Sequence, residues 1–123
     1  MTVVMVLLGG AIGAPLRYLT DLFVQSRHDS VFPWGTFTVN VLGSLVLGAT
    51  SAVIIDFAPP AWVLALVGTG FCGALTTFST FGFETIRLLE EGSVLAALSN
   101  CAVSLVVGLG ACAGGFAAAA AVS

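Results

Sequence analysis

The residues with the clearest chemical potential lie close together in one stretch, Gly68–Glu84, which reads GTGFCGALTTFSTFGFE. Glycines, hydroxyl residues and phenylalanines alternate there: Gly68, Gly70, Gly73, Thr76, Thr77, Phe78, Ser79, Thr80 and Phe81. Such a mixture disfavours a regular helix and offers hydrogen-bond partners to freed backbone groups. The uncharged run around it, from Phe57 to Phe83, is long enough to cross a bilayer. Since interrupted backbone at membrane depth occurs only inside protein or beside a watery cavity, the stretch is either a packing seam or an ion site.

Polar residues in the other apolar runs form a second group of candidates. Asn40 stands in the middle of one run, and helical spacing puts Thr36 on the same face. Asn100 and Ser104 are also four residues apart. Asn40 is either an interhelical hydrogen-bonding residue, of the kind that holds membrane helices together, or a side chain facing a permeating ion. Glu84 is either a charge at a helix end or part of a functional site.

The composition defines the class of protein in which these residues act. The chain has 123 residues, of which 59% are hydrophobic and 7% are charged, and its mean hydropathy is +1.14. Soluble domains carry about 25% charged residues, so the sequence predicts an integral membrane protein. The net charge of −3 excludes a nucleic-acid role, which needs a basic patch. The separate cysteines Cys72, Cys101 and Cys112 are expected to be small buried side chains, not metal ligands.

Charged residues divide the chain into four apolar runs, and each run predicts one membrane-spanning helix. The expected helices cover residues of about 3–25, 33–56, 61–89 and 93–119. Arg17 and Asp21 lie near the far end of the first helix, where they could pair or reach the interface. A polar loop with His28 precedes the second helix, and Ala117–Ala121 is expected to fray. The sequence therefore predicts an all-α membrane protein with a single four-helix domain over residues 1–123.

The distribution of charge bears on orientation and assembly. The three basic residues Arg17, Arg27 and Arg87 all lie toward the side opposite the termini, and there is no lysine. So weak a positive-inside bias allows insertion in both orientations. A bundle of four helices has few ways to enclose an aqueous pathway alone, so an oligomer is expected. Small residues four apart are its candidate seams: Gly9/Gly13, Gly10/Ala14 and Gly108/Cys112.

Three motifs occur in order along the chain: GGAIGAPLRY at 9–18, WGTFTVNVLG at 34–43 and GALTTFSTF at 73–81. Together they resemble one known family, the Fluc (CrcB-type) fluoride channels. The first resembles the family's GGxxGAxxRY opening, and the second resembles its WGTLxVNxxG second helix. The segment GALTTFSTF at 73–81 resembles its GGxTTFSTF break in the third helix. Order, spacing and total length agree, so the resemblance covers nearly the whole chain. The sequence departs from the family pattern at Ala74, Gly82 and Asn100, where glycine, serine and tyrosine are expected.

The resemblance implies positions for a fluoride path and for a structural ion. The positions assigned to the pore and its vestibules are Phe78, Phe81, Asn40, Thr38, Ser79, Thr80, Ser104, Glu84 and Arg17. Among them, Phe78 and Phe81 match the phenylalanines that face fluoride, and Asn40 matches the pore amide. Gly73 and Thr76 match positions whose backbone carbonyls hold a sodium ion (Na⁺) at the centre of a dimer. That dimer is antiparallel and of dual topology, with a broken third helix and two pores lined by both subunits.

The chemistry of these residues suits a small, tightly hydrated anion. Aromatic rings have a positive rim, and amides and hydroxyls donate hydrogen bonds. The centre of the chain has no positive side chain that would hold the anion too long for conduction. The resemblance therefore implies a passive channel in the plasma membrane that exports cytoplasmic fluoride and relieves its toxicity. An inside-negative potential repels an anion by about 2.3 kcal/mol per 100 mV, so no energy source is needed.

Three other interpretations differ in the residues they require. A proton-coupled exporter like the small multidrug resistance proteins needs an embedded glutamate in the first helix, and residues 2–16 contain no acid. A structural subunit would not need the set Asn40, Phe78 and Phe81. An enzyme would need a nucleophile–base pair or metal cluster within a span, and the sequence shows neither. Besides lipid, the expected partner is an identical chain or a sister subunit, and the sequence does not decide between them.

Overall fold

The computed structural model describes residues 2–27 and 32–122. Its elements are α1 (Thr2–Ser26), α2 (Trp34–Phe57), α3 (Ala61–Val63), a π-helix (Leu64–Cys72), α4 (Gly73–Leu75), α5 (Ser79–Glu90) and α6 (Val94–Val122). Four stretches are long and apolar enough to cross a membrane: Thr2–Ser26, Trp34–Phe57, Ala61–Glu90 and Val94–Val122. We call them the first to fourth spans. They confirm the predicted all-helical membrane protein, while His28 of the predicted loop lies outside the described residues.

The first span packs against the π-helix because glycines allow the two backbones to approach. A Cβ atom built on Gly9 would lie 2.1 Å from the carbonyl oxygen of Leu66, and one on Gly13 would lie 2.4 Å from that of Phe71. Both glycines are therefore buried inside the chain. The expectation that Gly9 and Gly13 form a seam between chains was wrong, because the third span of the same chain already fills that groove.

The second span is central and packs most extensively against the fourth span. A Cβ on Gly48 would lie 1.9 Å from the carbonyl oxygen of Cys112, and one on Gly115 would lie 2.2 Å from that of Leu45. Cys112 therefore also belongs to a contact within the chain, contrary to its expected place in an intermolecular seam. Among the described residues, the first and fourth spans do not touch. The second span thus separates them and has side chains facing both.

The third span is not one regular helix. The short α3 continues into the π-helix, which the sequence did not predict, and Thr76 is extended, with φ −81° and ψ 162°. The backbone N–H of Thr76 still donates to the carbonyl of Cys72 over 3.0 Å, and hydroxyl groups make further hydrogen bonds around this residue. The Thr76 hydroxyl donates to the carbonyl of Cys72 over 2.8 Å, and Thr77 Oγ1 accepts from the backbone N–H of Thr80 over 3.2 Å. Helical structure resumes at Ser79.

The two turns that lie wholly within residues 32–122 are short and follow the expected signals. Ala58 adopts a left-handed conformation, with φ 46°, at the end of α2 just before Pro59. Gly92, with φ 82°, lies between α5 and α6, at a conformation that glycine adopts without strain. The expected fraying of Ala117–Ala121 was wrong, since α6 continues to Val122. Alanine is the strongest helix former, which accounts for the continuation.

Candidate ion pathway

Asn40 binds the backbone of the third span where the helix is interrupted. The backbone N–H of Thr77 donates to Asn40 Oδ1 over 2.8 Å, and Asn40 Nδ2 donates to the carbonyl oxygen of Thr77 over 3.1 Å. The amide side chain thus supplies both partners that a continuous helix would have supplied. One hydrogen of the Asn40 amide is left for another acceptor.

The interruption releases two carbonyl oxygens from helical hydrogen bonding. In a continuous helix, the N–H groups of Thr77 and Thr80 would donate to the carbonyls of Gly73 and Thr76. They donate instead to Asn40 Oδ1 and Thr77 Oγ1. Gly73 is exposed on the surface of the single chain. Neutral oxygens of this kind are ligands that hard cations accept, and the described residues contain no cluster of metal-binding side chains.

Two phenylalanines stand at the start of α5. Phe78 is 77% exposed, and Phe81, one turn later, is half-buried. Their ring centroids are 5.9 Å apart with planes inclined at 48°. Since residues three apart share one face of a helix, both rings project to the same side of α5.

The second, third and fourth spans line an open cavity of about 320 Å³, which we call the main cavity. Its lining consists of Asn40, Ser44, Thr76, Thr77, Phe78, Phe81, Cys101, Ser104, Leu105 and Gly108. The structure therefore brings Asn40, Phe78, Phe81 and Ser104, all predicted pore residues, to a single space. A cavity that combines ring edges, an amide and hydroxyls has the donors that an anion requires.

Sequence reasoning missed Ser44 and Cys101 as lining residues of the main cavity. Ser44 follows Asn40 by four residues, so the helical spacing that paired Thr36 with Asn40 could have identified it. Cys101 is exposed within the single chain, so the expectation that this cysteine is buried was wrong. Cys72 is buried as expected.

A second cavity, of about 170 Å³, lies where the first, second and third spans meet. We call it the vestibule cavity, and it is lined by Arg17, Tyr18, Asp21, Thr36, Val39, Thr77 and Thr80. Thr77 lines both this cavity and the main cavity, so the interruption lies between the two. Arg17 and Thr80, both predicted pore or vestibule residues, are thereby brought to the same space.

Glu84 lies in the middle of α5 and accepts a hydrogen bond from the Thr36 hydroxyl of the second span. This is not the position of a charge at a helix end, so that interpretation of Glu84 was wrong. The Thr38 hydroxyl donates to the carbonyl of Trp34 over 2.7 Å within its own helix. Ser79 is exposed, with its hydroxyl 3.5 Å from that of Thr77. Neither Thr38 nor Ser79 lines the main or the vestibule cavity.

A third cavity, of about 290 Å³, lies on the other side of Asn40. Its lining consists of Asn40, Gly43, Ser44, Leu47, Gly68, Cys72, Gly73 and Thr76. It therefore contains both residues whose carbonyls the interruption releases. The small side chains on this face leave room for another chain to approach.

Comparison with known proteins identifies the family to which the chain belongs. Residues 4–116 match the family described as "CrcB-like protein, Camphor Resistance (CrcB)". The chain is 56% identical to the "Fluoride-specific ion channel FluC 1" of Frankia casuarinae, over 99% of this chain and 98% of that protein. It is 54% identical to the protein of the same name from Streptomyces avermitilis, over 90% of each. A "Fluoride-specific ion channel FluC" of Shewanella woodyi is 44% identical, over 84% of this chain and 83% of that protein.

Proposed function

The chain belongs to the CrcB-like family, and we propose from this membership that it is a fluoride-specific ion channel. It is a multi-pass membrane protein with four spans, and its family consists of channels and not of enzymes. The observation that carries the proposal is the main cavity, where Phe78, Phe81 and Asn40 line one space. The alternative of a proton-coupled small multidrug resistance-like exporter has no support from the family.

Conduction in this proposal is passive. Fluoride enters from the vestibule cavity beside Arg17, passes Thr77 and Thr80, and exchanges water for ring edges and amide or hydroxyl donors in the main cavity. No charged side chain lines the main cavity, so binding is weak enough for rapid release. An inside-negative plasma membrane then drives the anion outward. The cellular consequence is relief of fluoride toxicity.

The working unit in this proposal is an antiparallel dimer with two pores. The main cavity opens toward the outside of the single chain, because Phe78 and Cys101 are both exposed. A second copy in the opposite orientation covers this face and completes each pore. Membrane lipid covers the remaining apolar surface.

A sodium ion on the two-fold axis of this dimer is supported by the carbonyls of Gly73 and Thr76, which lack their usual helical donors. Two carbonyls from each copy give four neutral oxygens around one cation. The residues present therefore fit the ion. When bound, it would neutralise these oxygens and hold the two third spans together.

Fluoride efflux from liposomes that contain only the purified chain tests the function. We expect efflux after an inside-negative potential is imposed, and none in vesicles loaded with chloride. A chloride efflux comparable to that of fluoride would overturn the assignment of fluoride specificity. The identical-chain dimer is tested at the same time, because no sister subunit is present.

A further inference from the structure

A chain of three hydrogen bonds joins the fourth span to α5 beside the main cavity. The Ser104 hydroxyl donates to Asn100 Oδ1 over 3.2 Å, and Asn100 Nδ2 donates to Thr85 Oγ1 over 2.8 Å. The Thr85 hydroxyl in turn donates to the carbonyl oxygen of Phe81 over 2.8 Å. Asn100 is only 1% exposed, so water does not replace these partners. The hydrogen bonds begin at Ser104, which lines the main cavity, and end at the backbone carbonyl of Phe81, whose ring also lines it.

The carbonyl oxygen of Phe81, at the end of these hydrogen bonds, determines which group donates in each of them. A backbone carbonyl can only accept, so Thr85 uses its single hydrogen on Phe81 and must accept from Asn100. The Asn100 amide therefore turns its NH₂ group toward Thr85 and its oxygen toward Ser104. Because that oxygen can only accept, Ser104 donates its one hydroxyl hydrogen to Asn100. The main cavity is left facing the lone pairs of Ser104.

We propose that Asn100 is a positioning residue that keeps the hydroxyl hydrogen of Ser104 turned away from the main cavity. This inference rests on the proposed function, because the permeating anion is what would sense the hydroxyl. An anion in the cavity receives donors from Asn40 and from the ring edges but none from Ser104. Withholding one donor keeps the anion weakly bound, as fast conduction requires.

The first test replaces Asn100 by leucine, which keeps a side chain of similar size and removes both amide partners. Ser104 is then free to turn its hydrogen into the main cavity. We measure fluoride efflux from liposomes over a range of fluoride concentrations. A hydrogen bond to a charged group gained in this way should lower the half-saturating concentration of Asn100→Leu roughly tenfold. Maximal efflux should fall, because a more tightly held anion leaves more slowly.

Ser104→Ala distinguishes this role from simple packing. The half-saturating concentration of Ser104→Ala alone is the reference for the double variant. Combined with Asn100→Leu, Ser104→Ala should remove the tightening. If the two substitutions act additively on the half-saturating concentration, Asn100 does not act through Ser104 and the proposal is overturned.

Thr85→Val tests the same bonds with a substitution that preserves the shape of the side chain and leaves the buried Asn100 in place. Without the Thr85 acceptor, the Asn100 amide is free to turn, and the Ser104 hydrogen is released, so binding should tighten here as well. Thr50→Val is the matched control, because the Thr50 hydroxyl makes a similar bond to the carbonyl of Val46, over 2.8 Å, away from the main cavity. It should leave the half-saturating concentration unchanged.

The outcomes distinguish the proposed channel function from the role of Asn100. Absence of fluoride efflux with the unmodified chain would overturn the proposed function itself. Normal efflux of the unmodified chain, with an unchanged half-saturating concentration in both Asn100→Leu and Thr85→Val, would overturn the role of Asn100 alone. Size-exclusion elution and thermal unfolding of each variant show whether it remains assembled.

Discussion

At the scale of single residues, the rings of Phe78 and Phe81 are the groups on which selectivity depends in the proposed channel. They share one face at the start of α5 and line the main cavity with Asn40. An aromatic ring offers a positive edge to an anion, whereas an aliphatic side chain of similar bulk offers none. The identity of these two side chains should therefore matter more than their size.

We expect Phe78→Ile and Phe81→Ile each to reduce fluoride efflux about tenfold or more, because each removes a ring edge. Assembly should be retained, because isoleucine keeps an apolar side chain of substantial bulk at each position. Liposome efflux, with size-exclusion elution as the control for assembly, measures both effects. Efflux at the original rate in both variants would make the rings mere packing residues.

Asn40→Asp should abolish efflux for two reasons. An ionised carboxylate repels the anion, and it has no hydrogen to donate to the carbonyl of Thr77, which the amide binds over 3.1 Å. The bond from the N–H of Thr77 to the side-chain oxygen is retained, so the fold should be affected less than conduction. Efflux comparable to that of the unmodified chain would exclude a direct role of the amide in the pathway.

At the scale of elements, the bundle is held together by glycines that let backbones touch. The first span meets the π-helix at Gly9 and Gly13, and the second span meets the fourth at Gly48 and Gly115. Apolar attraction does not bring helices together in lipid, so close packing of this kind supplies much of the association. Substitution at these positions should therefore affect folding and not selectivity.

Gly48→Ala should destabilise the protein by roughly 1–3 kcal/mol, because its Cβ would overlap the Cys112 carbonyl and push α2 away from α6. Gly114→Ala is the matched control, since no atom of the chain lies within 4 Å of the Cβ it would add. The midpoint of thermal unfolding in detergent measures the difference. Equal midpoints for the two variants would contradict the packing seen between the second and fourth spans.

At the interruption of the third span, Gly73 has ample room within its own chain, so its substitution should act differently from that of Gly48. The nearest atom to an added Cβ is the Gly68 carbonyl oxygen, 4.0 Å away. We expect Gly73→Val to weaken the dimer and reduce efflux, through the partner chain and the proposed sodium site. Thr76→Ser should have a mild effect, because it keeps the backbone carbonyl and the hydroxyl.

Dimer dissociation and efflux, measured in sodium and again with sodium replaced by a bulky organic cation, test this prediction. The unmodified protein should dissociate more readily without sodium, and Gly73→Val should have lost that dependence. A dimer indifferent to sodium, or an experimental structure without density between the Gly73 and Thr76 carbonyls, would remove the ion from the proposal.

At the scale of the whole molecule, many large apolar side chains of the described residues are exposed in a single copy. The buried residues of the first span are Gly9 and Gly13, and those of the fourth span are Ala97, Asn100 and Gly115. In the proposed antiparallel dimer, lipid and a second copy share this surface. The sparse basic residues predict no strong preference for one orientation.

Lysines added on one side should fix the orientation and test dual topology. A variant with Asp56→Lys and Phe57→Lys should insert with this turn inside, and one with Glu90→Lys and Glu91→Lys should insert the other way. Each alone should be inactive, and the two expressed together should restore efflux. Protease access to a C-terminal tag reports the orientation. Full activity of either variant alone would contradict the antiparallel dimer.

The sequence by itself determined the four spans, the family and four of the ten residues that line the main cavity. These properties are local: long apolar runs between charges define spans, and the three motifs each lie within one run. Asn40 could therefore be singled out by its residue type within an apolar run, whereas the pore positions of Phe78, Phe81 and Ser104 followed from the resemblance to the family. Hydropathy did not reveal which faces pack together, because helices that are apolar all round have no preferred buried side.

Only the tertiary structure decided how these residues act on one another. It joined the Asn40 amide to the backbone of Thr77, placed Gly9 and Gly13 against the chain's own π-helix, and brought exposed Cys101 to the main cavity. It also joined Asn100 of the fourth span to Thr85 of the third. Each of these contacts brings together residues from different spans. Which spans become neighbours depends on the shapes of their surfaces, a property of the packed bundle that no single run of sequence contains.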